Sequence, residues 1–301
     1  MRKIRISVGI PAYNEEKNIT ELLNAIASQK TRIAEIEKIF VINDGSTDAT
    51  EAKVKEFIKK GKLKGKLTLI SLKKRKGKWF AINVFLKSAK SEILVLESAD
   101  NIPKKDCIEQ ICLPFLDKNT GIVSSRVVPI NNPDSFLGFT AQLMYELHHE
   151  ISRCSPKFGE LIAFRKAIKR ISPTIVDEEQ IASMISSLGL SRRYAPAAVV
   201  YNKGPETISD FIEQRRRIYC GHLLLKKGRG YSAPTLNSGK ILILAMKHIK
   251  PENFFWVIGA CLMEGYSRFL GRLDYLSGTG KRHILWKQIK SVKNLEIDQT
   301  F

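Results

Sequence analysis

Four short apolar runs, each followed by a polar or basic segment, dominate the first hundred residues. Ile4 to Ile10 reads as a buried strand and runs into Pro11-Ala12-Tyr13-Asn14-Glu15-Glu16. Ile39 to Ile42 ends in Asn43-Asp44-Gly45-Ser46, Leu67 to Leu72 leads into a basic loop, and Ile93 to Leu96 meets Glu97-Ser98-Ala99-Asp100. Helical spacing fills the gaps. Asn14 is placed to cap a helix carrying Ile19, Leu22, Leu23 and Ile26, and further helices are expected from about Thr47 to Lys60 and from Trp79 to Ala89. Strands and helices in alternation predict an α/β domain with a mostly parallel sheet and right-handed crossovers. Ligands of such sheets sit at the carboxyl ends of the strands, where these polar clusters lie.

The middle of the chain is more mixed. A helix is expected near Lys104 to Leu116, a strand near Gly121 to Val128, a long helix from Ser135 to Arg153 and a strand at Leu161 to Phe164. Asp177-Glu178-Glu179 opens a helix that stops at Gly189, and Ser209 to Leu225 reads as an Arg-rich amphipathic helix. From Gly239 onward the pattern is helical. The expected division is a catalytic domain over residues 1–230 and a helical, amphipathic C-terminal region over 231–301.

The chain has 50 Lys and Arg against 30 Asp and Glu, a formal charge of +20, which calls for an anionic partner. Nucleic acid is not the expected one, because aromatic residues do not alternate with the basic runs as stacking platforms would. The run from Lys53 to Lys78, with Glu56 its one acid, reads instead as a solvated face. Five cysteines without a CxxC pair exclude a zinc ribbon and read as small buried hydrophobes of a reducing compartment. No leader pattern precedes the first strand, and the longest apolar run, Phe254 to Met263, is too short to span a bilayer. The expectation is a cytoplasmic protein, or one attached to a membrane without crossing it.

The clusters suit a phosphorylated ligand. An acid just beyond a strand, such as Asp44, can accept hydrogen bonds from ribose hydroxyls or a base edge. Lys76 and Lys78 open a helix, where a lysine can meet a diphosphate. Asp100 can hold a divalent cation against it. A nucleotidyltransferase would also use such a sheet and a metal, but calls for a tighter pair of metal carboxylates than Asp100 alone.

The ordered set PAYNEE, DGSTD, KGK, ESAD, DEE and QRRRIYCGH resembles glycosyltransferase family 2, over roughly Ile4 to His222. The resemblance implies the GT-A fold, a Rossmann-like mixed, mostly parallel sheet flanked by helices, and inverting sugar transfer from a UDP- or GDP-sugar. It places the nucleoside on Pro11, Tyr13, Asn14, Glu15, Asp44 and Gly45, and the phosphates near Lys76 and Lys78. The family's DxD motif falls on Ser98-Ala99-Asp100, so Asp100 is the implied ligand of Mg²⁺ or Mn²⁺, with Glu97 or water in the role left by Ser98. Asn202 stands where the family often has a metal-contacting histidine. Glu178 is the implied catalytic base and Asp177 its supporting acid. Gln214, Arg215 and Arg217 match Q-x-x-R-W on the acceptor and diphosphate side, with Ile218 in place of tryptophan. That loss, and the lack of a spanning helix, argue against a processive polymer synthase.

In the tail, Phe255, Ile258, Leu262, Tyr266, Phe269, Leu273 and Leu276 recur at spacings of three and four. Such a stripe packs on its own domain or lies in a membrane interface. Lys240, Lys247 and Lys250 around an Ile-Leu-rich stretch support the interface, a peripheral site on the cytoplasmic face and a lipid-linked acceptor.

Overall fold

The computed structural model describes residues 3–63 and 65–285. The first half alternates as the pattern predicts: β1 (Ile4–Ala12), α1 (Ile19–Ala27), β2 (Ala34–Asn43), α2 (Thr50–Lys60), β3 (Leu67–Ser71), α3 (Lys78–Ser88) and β4 (Ile93–Leu96). Then come β5 (Asn101–Pro103), α4 (Cys107–Cys112), β6 (Thr120–Pro129), α5 (Phe136–Cys154), β7 (Ile162–Arg165), α6 (Asp177–Ser186) and β8 (Ser191–Asn202). Three further α-helices follow, α7 (Ile208–Arg229), α8 (Ser238–Lys247) and α9 (Phe254–Leu276), and a 3-10 helix over Thr279–Leu285 ends the described chain.

All eight strands form one sheet, in the order β3-β2-β1-β4-β7-β6-β8-β5. β3, β2, β1 and β4 are mutually parallel, β7 runs antiparallel to β4 and β6, and β5 runs antiparallel to β8. The sheet is mixed and mostly parallel, as expected. Both faces are covered. Ile6, Val8 and Ile10 of β1 point toward α1, α2 and α4, whereas Phe40, Ile42, Leu94 and Leu96 point toward α3 and α6. Gly9 makes the second packing possible: a Cβ there would stand 2.4 Å from the ring of Phe85.

Two strands lie where no strand is expected from the sequence. β8 pairs with β6 through Ala195 and resumes at Val199, so the ladder skips around Pro196, which lacks the amide to sustain it. β5 is three residues long, below the reach of any periodicity. The cap expected of Asn14 is also displaced. α1 starts only at Ile19, and Asn14 adopts a left-handed φ of 52°. Its backbone N–H donates to Ser46 Oγ and its side-chain oxygen accepts from the Thr47 N–H, so it ties the β1–α1 and β2–α2 loops together.

α8 and α9 pack on α5 through Leu143, Leu147, Ala245, Val257 and Ala260. α9 also lies against α7 at backbone distance, since a Cβ on Gly271 would stand 2.5 Å from the Arg216 carbonyl oxygen. The expected boundary at residue 230 falls on Gly230, which ends α7 with φ 67°. The last stretch of the expected C-terminal region, 286–301, lies outside the described residues.

Candidate active site

The ends of β1, β2 and β4 converge with the first turns of α3 and α6 and the middle of α7 on one cleft. It encloses a cavity of about 200 Å³. Pro11, Tyr13, Glu15 and Asp44 line one end, Lys78, Ser98, Ala99 and Asp100 the centre, and Asp177, Glu178, Gln214 and Arg217 the other.

At the first end Asp44 organises the β3–α3 loop. Its two oxygens accept the backbone N–H groups of Lys76 and Gly77, each at 2.7 Å. Burial raises the Asp44 pKa, and these two bonds and the nearby Arg75 hold the rise in check. Gly45 adopts φ 69°, and a Cβ there would come within 2.6 Å of the Arg75 nitrogen, so only glycine lets the two loops meet. Arg75, which the sequence places in an undistinguished basic run, stacks its guanidinium 4.0 Å from the Tyr13 ring centre and lines the cleft. The Lys76 ammonium lies over the Phe80 ring at 4.3 Å, while its backbone N–H bonds Asp44. Glu15 is buried, accepts from Asn18 and is held through its own N–H by Thr50.

At the centre, Lys78 Nζ donates to Glu178 Oε1 at 2.6 Å and to Ser98 Oγ at 3.1 Å. Burial alone would lower the Lys78 pKa, but Glu178, Asp177 and Glu160 together raise it. The reverse holds for Glu178: burial would raise it, and Lys78 brings it below the usual carboxylate range. Its neighbour Asp177 is pushed up to about 7 by burial and by the charge of Glu178, and its Oδ1 is sequestered with no hydrogen-bond partner among the described residues. The pair therefore divides one proton unequally near neutral pH, with Glu178 ionised. Both open α6, whose N-terminal dipole favours their negative charge. Glu179 is turned to a structural task, accepting the Phe158 N–H and the Tyr231 hydroxyl.

Beside Asp100 the cleft is lined by Glu160 and not by Glu97. Glu97 is buried behind the cleft wall, with Oε1 accepting from Asn101. Asn202 donates to Asn101 and accepts from the Tyr145 hydroxyl. Glu160, at a left-handed φ of 56°, lines the cleft instead, and the charge of Asp100 helps raise its pKa after burial does. Among the described residues no three His, Cys, Asp or Glu side chains form a ready-made cation cage. Two neighbouring carboxylates nevertheless fit a hard divalent cation that takes its remaining ligands from phosphate oxygens and water.

On α7, Gln214 and Arg217 face the cleft, and burial pushes the Arg217 pKa down to about 10 against the pull of Asp177 and Glu178. Arg215 also touches the cleft, but its guanidinium is committed to a bidentate pair with Glu264 of α9 at 2.8 and 2.9 Å. Arg216 makes a second bidentate pair with Asp274, at 2.5 Å for both bonds. Of the three arginines, Arg217 thus faces the cleft, while Arg215 and Arg216 fasten α9. Glu160, Arg75, Lys157 and His148 are cleft residues that no motif marks.

Comparison with known proteins agrees with this geometry. The model of glycosyl transferase family 2 matches residues 7–170, and that of glycosyl transferase family group 2 matches 93–270. A probable glycosyltransferase of Bacillus subtilis is 25% identical over 230 residues, 71% of this chain and 54% of its own length. The chain thus spans about half of that relative. Among solved structures, a mannosyltransferase from Pyrobaculum calidifontis in complex with GDP-Man and Mn²⁺ superposes with a TM-score of 0.66 at 21% identity, over 92% of this chain and 88% of its own. Glucosyl-3-phosphoglycerate synthase of Mycobacterium tuberculosis, in complex with Mn²⁺, UDP and glucosyl-3-phosphoglycerate, gives 0.50 at 19%, over 76% and 80%. A family model that covers more than half the chain, on a fold shared with these transferases, leads to one assignment: the chain belongs to glycosyl transferase family 2.

Proposed function

We propose that this chain transfers a sugar, with inversion, from a UDP- or GDP-sugar to a hydroxyl or phosphate of a lipid-linked acceptor. The observation that carries the reading is the Lys78–Glu178–Asp177 group, set in one cleft with Asp44 at one end and Arg217 at the other. Donor chemistry of both kinds occurs on this fold, with GDP-Man in one neighbour and UDP in another.

The nucleoside lies between Tyr13 and the loop held by Asp44, and the diphosphate extends toward Lys78 and Arg217. A divalent cation, Mg²⁺ or Mn²⁺, held by Asp100 and Glu160, would neutralise the diphosphate and steady the departing nucleotide. Glu178 is the base: ionised at neutral pH, it takes the acceptor proton as oxygen attacks the anomeric carbon from the side opposite the leaving group. Its pair with Lys78 ties basicity to donor binding, because an ammonium drawn toward phosphate leaves Glu178 a stronger base. Asp177 holds the proton that Glu178 does not, and Arg217 offsets charge on the leaving diphosphate.

Residues 1–230 form the catalytic unit in this reading, and 231–301 the membrane-facing one. The stripe of Phe255, Leu262, Phe269 and Leu276 supports that role: all four are exposed, Phe255 by 83% and Leu262 by 69%. Val257, Ala260, Ser267, Gly271 and Asp274 are the α9 residues that pack inward. No described helix is long and apolar enough to cross a membrane; the contact we propose is peripheral and on the cytoplasmic face.

The test is calorimetric titration with UDP and GDP, with and without Mn²⁺. Metal-dependent micromolar binding of one nucleotide is the expected result. Binding of neither, under any metal, would remove the transferase reading.

A further inference from the structure

A second cavity, of about 230 Å³ and almost wholly apolar walls, lies between α5, α8 and α9. Leu143, Leu147, Ala245 and Ala260 form its buried floor. Leu242 and Gly265 stand on its outer rim, both exposed. Gly265 follows Leu262 by three residues and precedes Phe269 by four, so the rim opens on the helix face that carries the exposed apolar stripe. At the inner end stand His148 and Arg215, which also line the active-site cleft. The cavity therefore abuts the active-site cleft, with His148 and Arg215 as the wall the two share, and opens toward the apolar outer face.

The chemistry of the neck is specific. Arg215 and Arg268 both bond to the single carboxylate of Glu264, at 2.7 to 2.9 Å, which leaves an excess of guanidinium charge there. His148 Nδ1 is sequestered beside it with no hydrogen-bond partner among the described residues. An apolar cavity left empty forfeits dispersion contacts on every wall, and water gains little in a site with so few polar groups.

We propose that this cavity binds the hydrocarbon chain of the acceptor, with the acceptor's phosphate at the Arg215–Arg268 neck and its reacting end in the cleft opposite Glu178. The proposal rests on the transferase reading and names the part of the molecule that selects the substrate class. An amphiphile enters past Leu242 and Gly265 from the interfacial face, lays its chain along Leu143 and Leu147, and is stopped by charge at the neck. One molecule thereby satisfies an apolar wall, an unbalanced pair of guanidinium groups and an adjoining catalytic cleft.

The experiment is calorimetric titration of the full chain with hexyl, octyl and decyl phosphate, each below its aggregation concentration, against inorganic phosphate. Affinity should rise about fourfold per added methylene until the cavity is full. Gly265→Trp, at a position where a Cβ meets nothing within 4 Å, and Leu242→Trp should each flatten that rise. Leu116→Glu, at an exposed apolar residue outside the cavity, should leave it intact. A flat series in the parent protein, or a slope that survives both tryptophans, overturns the proposal. UDP and GDP titrations on the same samples separate the two readings: nucleotide binding with a flat series removes the cavity site alone, whereas loss of both removes the transferase as well.

Discussion

Lys78 Nζ lies 2.6 Å from Glu178 Oε1, joining the first residue of α3 to the second residue of α6 across a hundred positions of chain. This contact holds Glu178 ionised while its neighbour Asp177 is pushed up to about 7. Lys78→Met should therefore raise the Glu178 pKa, since the cation that depresses it is gone. Activity that needs ionised Glu178 should then fail at a higher pH than in the parent protein, by on the order of one unit. The pH dependence of kcat/KM, which reports the free enzyme in which Lys78 still bonds Glu178, reads this shift, and an unmoved acid limb would sever Lys78 from the base.

Glu178→Gln should leave nucleotide-sugar affinity nearly unchanged while cutting turnover by roughly 10²-fold or more. Asp177→Asn separates the two roles. It removes a charge neighbour but leaves the base, so a smaller loss is expected. Near-normal turnover in Glu178→Gln with collapse in Asp177→Asn would exchange the assignments.

The raised pKa of Asp177 also affects stability. Between about pH 4 and 7 the folded chain holds a proton that the unfolded chain has released, so this residue subtracts stability as pH rises through that window. Asp177→Asn removes the titration. Thermal melts should show the variant gaining on the parent protein from pH 4 to pH 7, with no further relative change above about pH 8.

Glu264 is held down to about 2 despite burial, because Arg215 and Arg268 both bond to it. Glu264→Gln leaves two guanidinium groups beside a neutral amide and should destabilise the fold by about 3 kcal/mol. Urea unfolding measures the loss, and limited proteolysis should cut first around α9. In the parent protein the same contribution is present above the unfolded carboxylate pKa and disappears as pH falls toward 2.

Exchange of Leu262 and Phe269 for glutamate should lower partition onto vesicles containing anionic lipid by about tenfold or more per site, since each loses the burial of one large side chain. Sedimentation with vesicles measures it. Equal partition of parent and double variant would remove α9 as the docking face.

The sequence showed clearly what depends on short-range pattern. The β1 to β4 alternation, the polar ends of these strands and the acids opening α6 can each be read within a dozen residues. What depended on long-range packing was hidden. β8 escaped because Pro196 interrupts its alternation, and Glu160 because a single acid before β7 becomes significant only when the fold sets it beside Asp100. The arginine run was half legible: helical spacing grouped Gln214 with Arg217, but nothing local shows that Arg215 and Arg216 meet Glu264 and Asp274.

The close passage of α9 over Arg216 at Gly271 turns the molecule into a gauge. α7 turns Gln214 and Arg217 to the cleft and, through the two residues between them, grips the helix that carries the exposed stripe. No hinge separates the two functions. In the proposed transferase the height of the reacting carbon above the stripe would therefore be set by the helix pair, and acceptors would be sorted by how far their reactive end stands from their anchor. A side chain in place of Gly271 would wedge the pair apart and reset that height without touching a residue of the cleft.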